Sequence, residues 1–305
     1  MPIVISKDLP AFDVLTKENI FVMHSDRAAS QDIRPIKIAI LNLMPTKRET
    51  ETQLLRLLGN TPLQVNITLV NTKSYKGKNT PDTHLEKFYK SFDDIKHQKF
   101  DGMIVTGAPV ETIGFDEVKY WDELKEIMDF TLTNVTSTAF ICWGAQAALY
   151  HFYGIDKTPL PKKMFGIFPT VAMQENELLT KGLSDEFFIP HSRHTAIDEK
   201  SVLRNTDLIP LAKNRETGIS IIKSRDNGQF FFTGHVEYDR YTLKKEYFRD
   251  LDKGLAIETP VNYFTDNNCE RVNMSWTSTA NILFSNWLNY YVYQATPYDI
   301  EEISH

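Results

Sequence analysis

The sequence predicts an α/β protein built on a mostly parallel sheet with helices on both faces. Short apolar, β-branched runs alternate four times with helical periodicity between residues 35 and 154. The connections between them are short, as crossover units require. The strand candidates end in NLMP, VTGAPVE and ICWGAQ, and in such sheets ligands sit beyond the carboxyl ends of the strands.

Residues 1–34 read as a polar, irregular N-terminal segment with one short helix near residues 10–20. PIKIAILNLM, 35–44, carries Ile36, Ile38, Ile40, Leu41 and Leu43, the run expected of a central strand. Pro45 ends it, Thr46 and Glu49 make a T-x-x-E capping box, and Leu54, Leu55, Leu57 and Leu58 fill a helix that Gly59 closes. QVNITLVN, 64–71, reads as a strand, THLEKFYKSF as a helix, and FDGMIVTG, 100–107, as a strand. Tyr120, Trp121, Leu124, Ile127, Met128 and Leu132 lie at helical spacing within 117–134. STAFIC, 137–142, is the next strand and GAQAALYHFYG, 144–154, the next helix.

Beyond residue 160 the alternation loosens. GISIIKSRDNGQFFFTGH reads as a hairpin about an Asp226-Asn227-Gly228 turn, with glycine supplying a positive φ. A last helix, 277–294, places Ala280, Leu283, Trp287 and Tyr291 on one face, which is either core or an interface. With no linker rich in Gly, Pro or Ser, residues 1–305 read as a single domain.

Composition excludes several classes. Apolar residues make up 42% and charged residues 24%, enough for a large core. The formal net charge of −6 argues against nonspecific binding to nucleic acid. No run is long enough to span a membrane, and no export signal opens the chain, which predicts a cytoplasmic protein. Cys142 and Cys269 make neither a disulfide framework nor a zinc spacing. The basic pairs Lys47–Arg48, Lys162–Lys163 and Lys244–Lys245 are anion-site candidates or solvated faces.

The chemistry centres on FICWGAQAAL. Taken alone, Cys142 is either a small buried thiol or a nucleophile. A cysteine between a strand and a helix gains from the partial positive charge and free N–H groups of the helix start, which favour thiolate and can receive an oxyanion. FFFTGHVEYD then puts His235 at a strand end, with Glu237 on the same side if the chain stays extended. A carboxylate there fixes the imidazole tautomer. Thiol, imidazole and carboxylate together are what nucleophilic thiol catalysis needs. In PHSRHT, His191 and His194 lack a carboxylate or thiolate at metal-ligand spacing, so no metal is expected. Ser192 and Arg193 fit a loop offering donors to a polar ligand.

C-x-G-x-Q after a strand, with H-x-E later, resembles the class I glutamine amidotransferase core, a flavodoxin-like three-layer fold. Phe140 and Val236 depart from that pattern, where glycine and proline are usual. A longer resemblance absorbs both departures. IRPIKIAILNLMPTKRETETQLLRLLGNTPLQV, FDGMIVTGAPVE, YWDEL, TSTAFICWGAQAAL, PHSRHT, GHVEYDRYTLKKEYFRD and NWLNYYVYQATPY resemble the homoserine O-acyltransferase family of methionine biosynthesis, over about residues 33–298. The resemblance implies the amidotransferase-like fold, Cys142 as acyl-accepting nucleophile, His235 as general base and Glu237 as its orienting residue. It implies the Trp143 backbone N–H as oxyanion donor, Lys47 near the reacting centre, and Lys163, Ser192 and Arg249 as substrate-binding residues. The implied substrates are L-homoserine and acetyl-CoA, with no cofactor and a homodimeric state.

Two of these positions have physical arguments of their own. Arg249 can grip an amino-acid carboxylate with two parallel bonds, or can be a surface ion pair on KKEYFRD. Family members using succinyl-CoA carry glycine where Glu111 stands, and those using acetyl-CoA carry glutamate. A carboxylate facing the acyl pocket repels the distal carboxylate of a succinyl group; alternatively, Glu111 caps a following turn. Donor choice therefore stays open between acetyl-CoA and succinyl-CoA. A glutamine amidotransferase-like amidase and a non-enzymatic acyl-CoA-binding protein are the other readings.

Overall fold

The computed structural model describes residues 3–18, 20, 22–23, 34–59, 61–74, 80–226, 228–297 and 299–303. The connection 24–33, including His24, lies outside the described residues, as do Asn227 of the expected turn and His305.

Among the described residues, twelve strands join one sheet. They are β1 (Ile3–Val4), β2 (Val22–Met23), β3 (Ile36–Leu41), β4 (Val65–Val70), β5 (Tyr89–Lys90), β6 (Phe100–Val105), β7 (Val135–Ile141), β8 (Lys157–Ala172), β9 (Glu186–Ile197), β10 (Leu208–Asn214), β11 (Gly218–Ser224) and β12 (Gln229–Phe232). Their order is β2-β1-β4-β3-β6-β7-β12-β11-β10-β8-β9, with β5 beside β4. The pairs from β2 to β12 are parallel. Beyond β12 every pair is antiparallel. The central strands β3, β6 and β7 are buried nearly throughout, as expected where helices cover both faces. No helix among the described residues is long and apolar enough to cross a membrane.

Two apolar layers flank the sheet. One packs the Lys47–Leu58 helix and the C-terminal aromatic segment against β3, β6 and β12. The other packs the Trp121–Asn134 and Trp143–Tyr153 helices on the opposite face. A third, smaller cluster holds Phe165, Ile167, Tyr238, Leu243, Tyr263 and Trp276 together beside the long β8–β9 pair.

Several local expectations are corrected. The N-terminal segment is less irregular than its composition suggests: besides a helix at Pro10–Lys17, β1 and β2 extend the sheet's edge. THLEKFYKSF is two short helices split by β5, because Tyr89 and Lys90 pair with the end of β4. Thr46 makes no side-chain cap, and Glu49 instead pairs with Lys245 at 2.6 Å across to another helix. Gly59 keeps a right-handed conformation; a Cβ there would come within 2.7 Å of Ile20. At the end of the expected turn, Gly228 N–H donates to Asp226 Oδ1 at 2.9 Å. PHSRHT lies within β9 rather than in a loop, and β8 pairs along it, with Phe165 opposite Ser192. Extended backbone puts His191 and His194 on opposite faces, the first buried and the second exposed. The last helix is α-helical over Thr277–Asn286 and continues as a π-helix over Trp287–Tyr293. Ala280, Leu283, Trp287 and Tyr291 are core, and Trp287 Nε1 donates to Ser137 Oγ at 2.9 Å.

Candidate active site

The site forms where β6, β7 and β12 end. Cys142 follows β7 directly and caps the Trp143–Tyr153 helix with φ 50° and ψ −114°. Glycine adopts that region readily; for other residues it stores about 1–3 kcal/mol of strain. Bonds on both sides make the turn sharp: Cys142 N–H donates to Phe232 O of the neighbouring strand at 2.7 Å, and Gln146 N–H of the following helix donates to Cys142 O at 3.1 Å. The first helical N–H groups, beginning with Trp143, therefore open beside the thiol without partners inside the helix.

Glycine is needed beside the thiol because of close approach. A Cβ on Gly144 would lie 2.6 Å from Thr106 O and 2.9 Å from Val105 O, so only glycine lets the helix start rest on the end of β6. Gly144→Ala is expected to destabilise the fold by about 3 kcal/mol, because the obstruction is backbone. A lowered denaturation midpoint checks this; an unchanged midpoint would mean that the helix can shift.

His235 arrives after β12 through a second tight passage. A Cβ on Gly234 would lie 2.7 Å from Pro190 O, and His235 N–H donates to that carbonyl at 2.8 Å. The buried imidazole Nδ1 sits 2.7 Å from Glu237 Oε1. The ring stacks on Tyr238 at 4.1 Å and, like the Cys142 side chain, lies against Gly107. Burial alone would push this imidazole down, but the Cys142 and Glu237 charges outweigh it and hold His235 well above the usual histidine range. His191 shows the contrast. Equally buried, beside Arg193 and His235, it is held well below that range.

The other expected site residues fall into three groups. Lys163 on β8 and Ser192 on β9 both converge on Glu246 of the Thr242–Asp252 helix, at 2.7 and 2.8 Å. Lys163 also reaches Asp250 at 3.1 Å. Arg249, half exposed, bonds Asp250 at 2.8 Å and lies 3.5 Å from Glu246. The substrate-binding candidates thus surround a carboxylate that the sequence reading missed. The available signal was helical spacing: Glu246, Arg249 and Asp250 stand at i, i+3 and i+4 in KKEYFRD. Tyr238, also missed, bridges the two halves. Burial and then the charges of Glu246, Glu237, Cys142 and Glu111 all push its hydroxyl up.

Glu111 does not cap the turn that follows it. Glu117 bonds the Gly114 N–H there, while Glu111 Oε2 accepts from Thr195 Oγ1 at 3.2 Å. Lys47 is buried at the start of its helix, its amine donating to Asn42 O. Burial pushes that amine down to about 8, against the opposing pull of Glu51. Among the described residues no hydrogen bond joins Lys47 to Cys142. The two are linked through strand ends: Leu43 N–H donates to Thr106 Oγ1 at 2.8 Å, and the next residue, Gly107, lies against Cys142 and His235. Of the basic pairs, Lys162 and Lys245 are exposed and salt-bridged, to Glu258 and Glu49.

Comparison with known proteins agrees with this geometry. Solved structures with similar architecture include a glutamine amidotransferase from Thermotoga maritima, at TM-score 0.53 and 12% identity, covering 84% of this chain and 98% of that one. Another is a glutamine amidotransferase from Methylobacillus flagellatus, at TM-score 0.51 and 9% identity, covering 84% and 95%. At such identities the likeness speaks to the fold, which is class I glutamine amidotransferase-like. Curated relatives are far more similar. The homoserine O-acetyltransferase of Acetivibrio thermocellus is 57% identical over 99% of this chain and 100% of its own length. Homoserine O-acetyltransferase 1 of Ilyobacter polytropus is 56% identical over 98% and 99%. The family model for homoserine O-succinyltransferase matches residues 2–298. A buried thiol, imidazole and carboxylate on an amidotransferase-like sheet accord with those matches, and the chain belongs to the homoserine O-succinyltransferase family of acyltransferases.

Proposed function

We propose that this chain transfers an acetyl group from acetyl-CoA to the γ-hydroxyl of L-homoserine through an acyl-Cys142 intermediate. The observation that carries this reading is a thiol at a strained strand–helix junction, set beside Gly107 with a buried imidazole that bonds Glu237.

The proton bookkeeping follows from what holds His235 charged. In the proposed cycle the attacking form is the Cys142 thiolate, with its proton held on His235. Thiolate attack on the acetyl thioester forms a tetrahedral oxyanion, which the Trp143 N–H can receive. Lys47 supplies positive charge at the same edge of the sheet. Collapse breaks the bond to the CoA sulfur, which takes the proton from His235. Cys142 is now a neutral thioester, so the negative charge that most strongly raised the imidazole is gone. Burial then favours neutral imidazole, the form that removes the proton from the homoserine hydroxyl. Attack by that oxygen releases O-acetyl-L-homoserine and restores the thiolate–imidazolium pair. The steps balance without a further cofactor.

Homoserine fits the Lys163–Ser192–Glu246–Arg249 cluster. Its α-carboxylate suits the half-exposed Arg249 guanidinium and Lys163, and its ammonium suits Glu246. This reading places the enzyme in the cytoplasm. With the C-terminal aromatic face buried in the core, a homodimer would join through another surface.

Donor choice is tested by comparing acetyl-CoA with succinyl-CoA. Two like charges in a partly desolvated pocket cost several kcal/mol, on the order of a thousandfold in selectivity. Wild type is expected to prefer acetyl-CoA, and Glu111→Gly to move the ratio of kcat/KM values toward succinyl-CoA by up to that factor. A wild-type preference for succinyl-CoA would overturn the acetyl reading. An amidase reading has only the fold in its favour, and glutaminase activity without homoserine would be its mark.

A further inference from the structure

We propose that Thr195 and Gln146 are positioning residues for acyl-donor selectivity, holding the Glu111 carboxylate in the acyl pocket. The proposal rests on the reading of Glu111 given above and adds what makes that carboxylate effective.

Glu111 lies on the turn after β6 and is only partly buried. A carboxylate free to swing into water would be screened and would repel a succinyl group weakly. Lys157 also draws it outward. That amine sits over the Phe115 ring at 4.2 Å, bonds Ile113 O at 2.6 Å and feels the Glu111 charge. The inward anchor is the buried Thr195 hydroxyl, 3.2 Å from Glu111 Oε2 and 3.0 Å from Gln146 Oε1. One hydroxyl has one proton, and of its two acceptors the carboxylate is the stronger.

Thr195 itself cannot move freely. The buried Arg193 guanidinium donates to Thr195 O and to Thr217 O, both at 2.6 Å. Gln146 Nε2 reaches Thr195 O at 3.4 Å from the other side. Gln146 stands in the first turn of the helix that Cys142 caps, and its own N–H donates to Cys142 O at 3.1 Å. The carboxylate that sorts acyl groups is therefore braced against the same turn that presents the nucleophile. Arg193 faces both the Cys142 and Glu111 charges, so its positive charge also favours an inward carboxylate.

The test is the ratio of kcat/KM for succinyl-CoA to that for acetyl-CoA, measured with the full chain. Thr195→Val should raise the ratio about tenfold, the scale of one hydrogen bond to a charged group. Thr195→Ser, which keeps the hydroxyl, should restore the wild-type ratio. Added to Glu111→Gly, Thr195→Val should change the ratio no further, because its effect runs through the missing carboxylate. If Thr195→Val does not fold, Thr195→Ala is read in its place. A wild-type ratio in the Thr195 variant, with Glu111→Gly still switching donor, overturns the proposal and leaves the Glu111 reading standing. A full additional effect on the Glu111→Gly background also overturns it. If Glu111→Gly leaves the ratio unchanged, the Glu111 reading fails and takes this proposal with it.

Discussion

Cys142→Ala is expected to lower kcat by about 10⁴ or more, since no other group in the pocket can replace a lost nucleophile. In the wild-type protein, acetyl-CoA without homoserine should leave an acyl-enzyme heavier by about 42 Da, the mass of an acetyl group replacing a proton. Peptide mapping should place that mass on Cys142. CoA release should show a burst equal to the enzyme concentration, because the acyl-enzyme waits for its acceptor. The geometry favours this outcome: the thiol is buried, set at a strained φ of 50° and lies beside Gly107 together with the imidazole. Strain of that kind persists only where surrounding structure over-determines it, here through the Phe232 carbonyl and the Gln146 N–H. Product formation by wild-type protein with no mass shift and no burst would exclude the covalent route in favour of direct transfer.

Glu237→Gln is expected to lower kcat by about 10²-fold and to move the alkaline limb of the pH profile to lower pH. The sign follows from what holds the His235 proton. Burial lowers its affinity for the proton, while the Cys142 and Glu237 charges raise it above the ordinary histidine value. Loss of one raising charge leaves burial less opposed, so the imidazolium gives up its proton at lower pH. The kcat/KM profile for acetyl-CoA reports the free enzyme, and its two limbs belong to the thiol–imidazole pair rather than to either residue. Glutamine can still occupy the space beside Nδ1, which separates the loss of charge from the loss of packing. An alkaline limb that stays in place would mean that Glu237 only orients the ring. A limb that moves up would contradict the electrostatic account.

The parallel half of the fold was legible in the sequence because its signals are local. Apolar β-branched runs, helical spacing and turn residues mark β3, β4, β6 and β7 within a few residues of their positions. FICWGAQ marked the strand-to-helix turn by the same means, and Gly144 is where the helix start meets β6. His235 and Glu237 were legible because an extended chain puts i and i+2 on one side. The antiparallel extension was harder to read. PHSRHT is polar enough to suggest a loop, yet it pairs along β8, and that pairing sets Ser192 opposite Phe165. The final helix widened to a π-helix over its aromatic stretch, which helical spacing alone does not encode.

The chain's own order of residues thus determined the fold class and set the Cys142 thiol, the His235 imidazole and the Glu237 carboxylate at their strand ends, since each placement depends on neighbours close in sequence. Only the tertiary structure decided which distant groups meet them. Glu246 gathers Ser192 from 54 residues away and Lys163 from 83. Thr195 reaches Glu111 across 84 residues. Tyr238 roofs the imidazole at 4.1 Å because the chain turns after His235 and stacks ring on ring. No spacing rule encodes such meetings; β9 stands at the far end of the strand order, and it folds back onto the end of β12, where His235 N–H bonds Pro190 O.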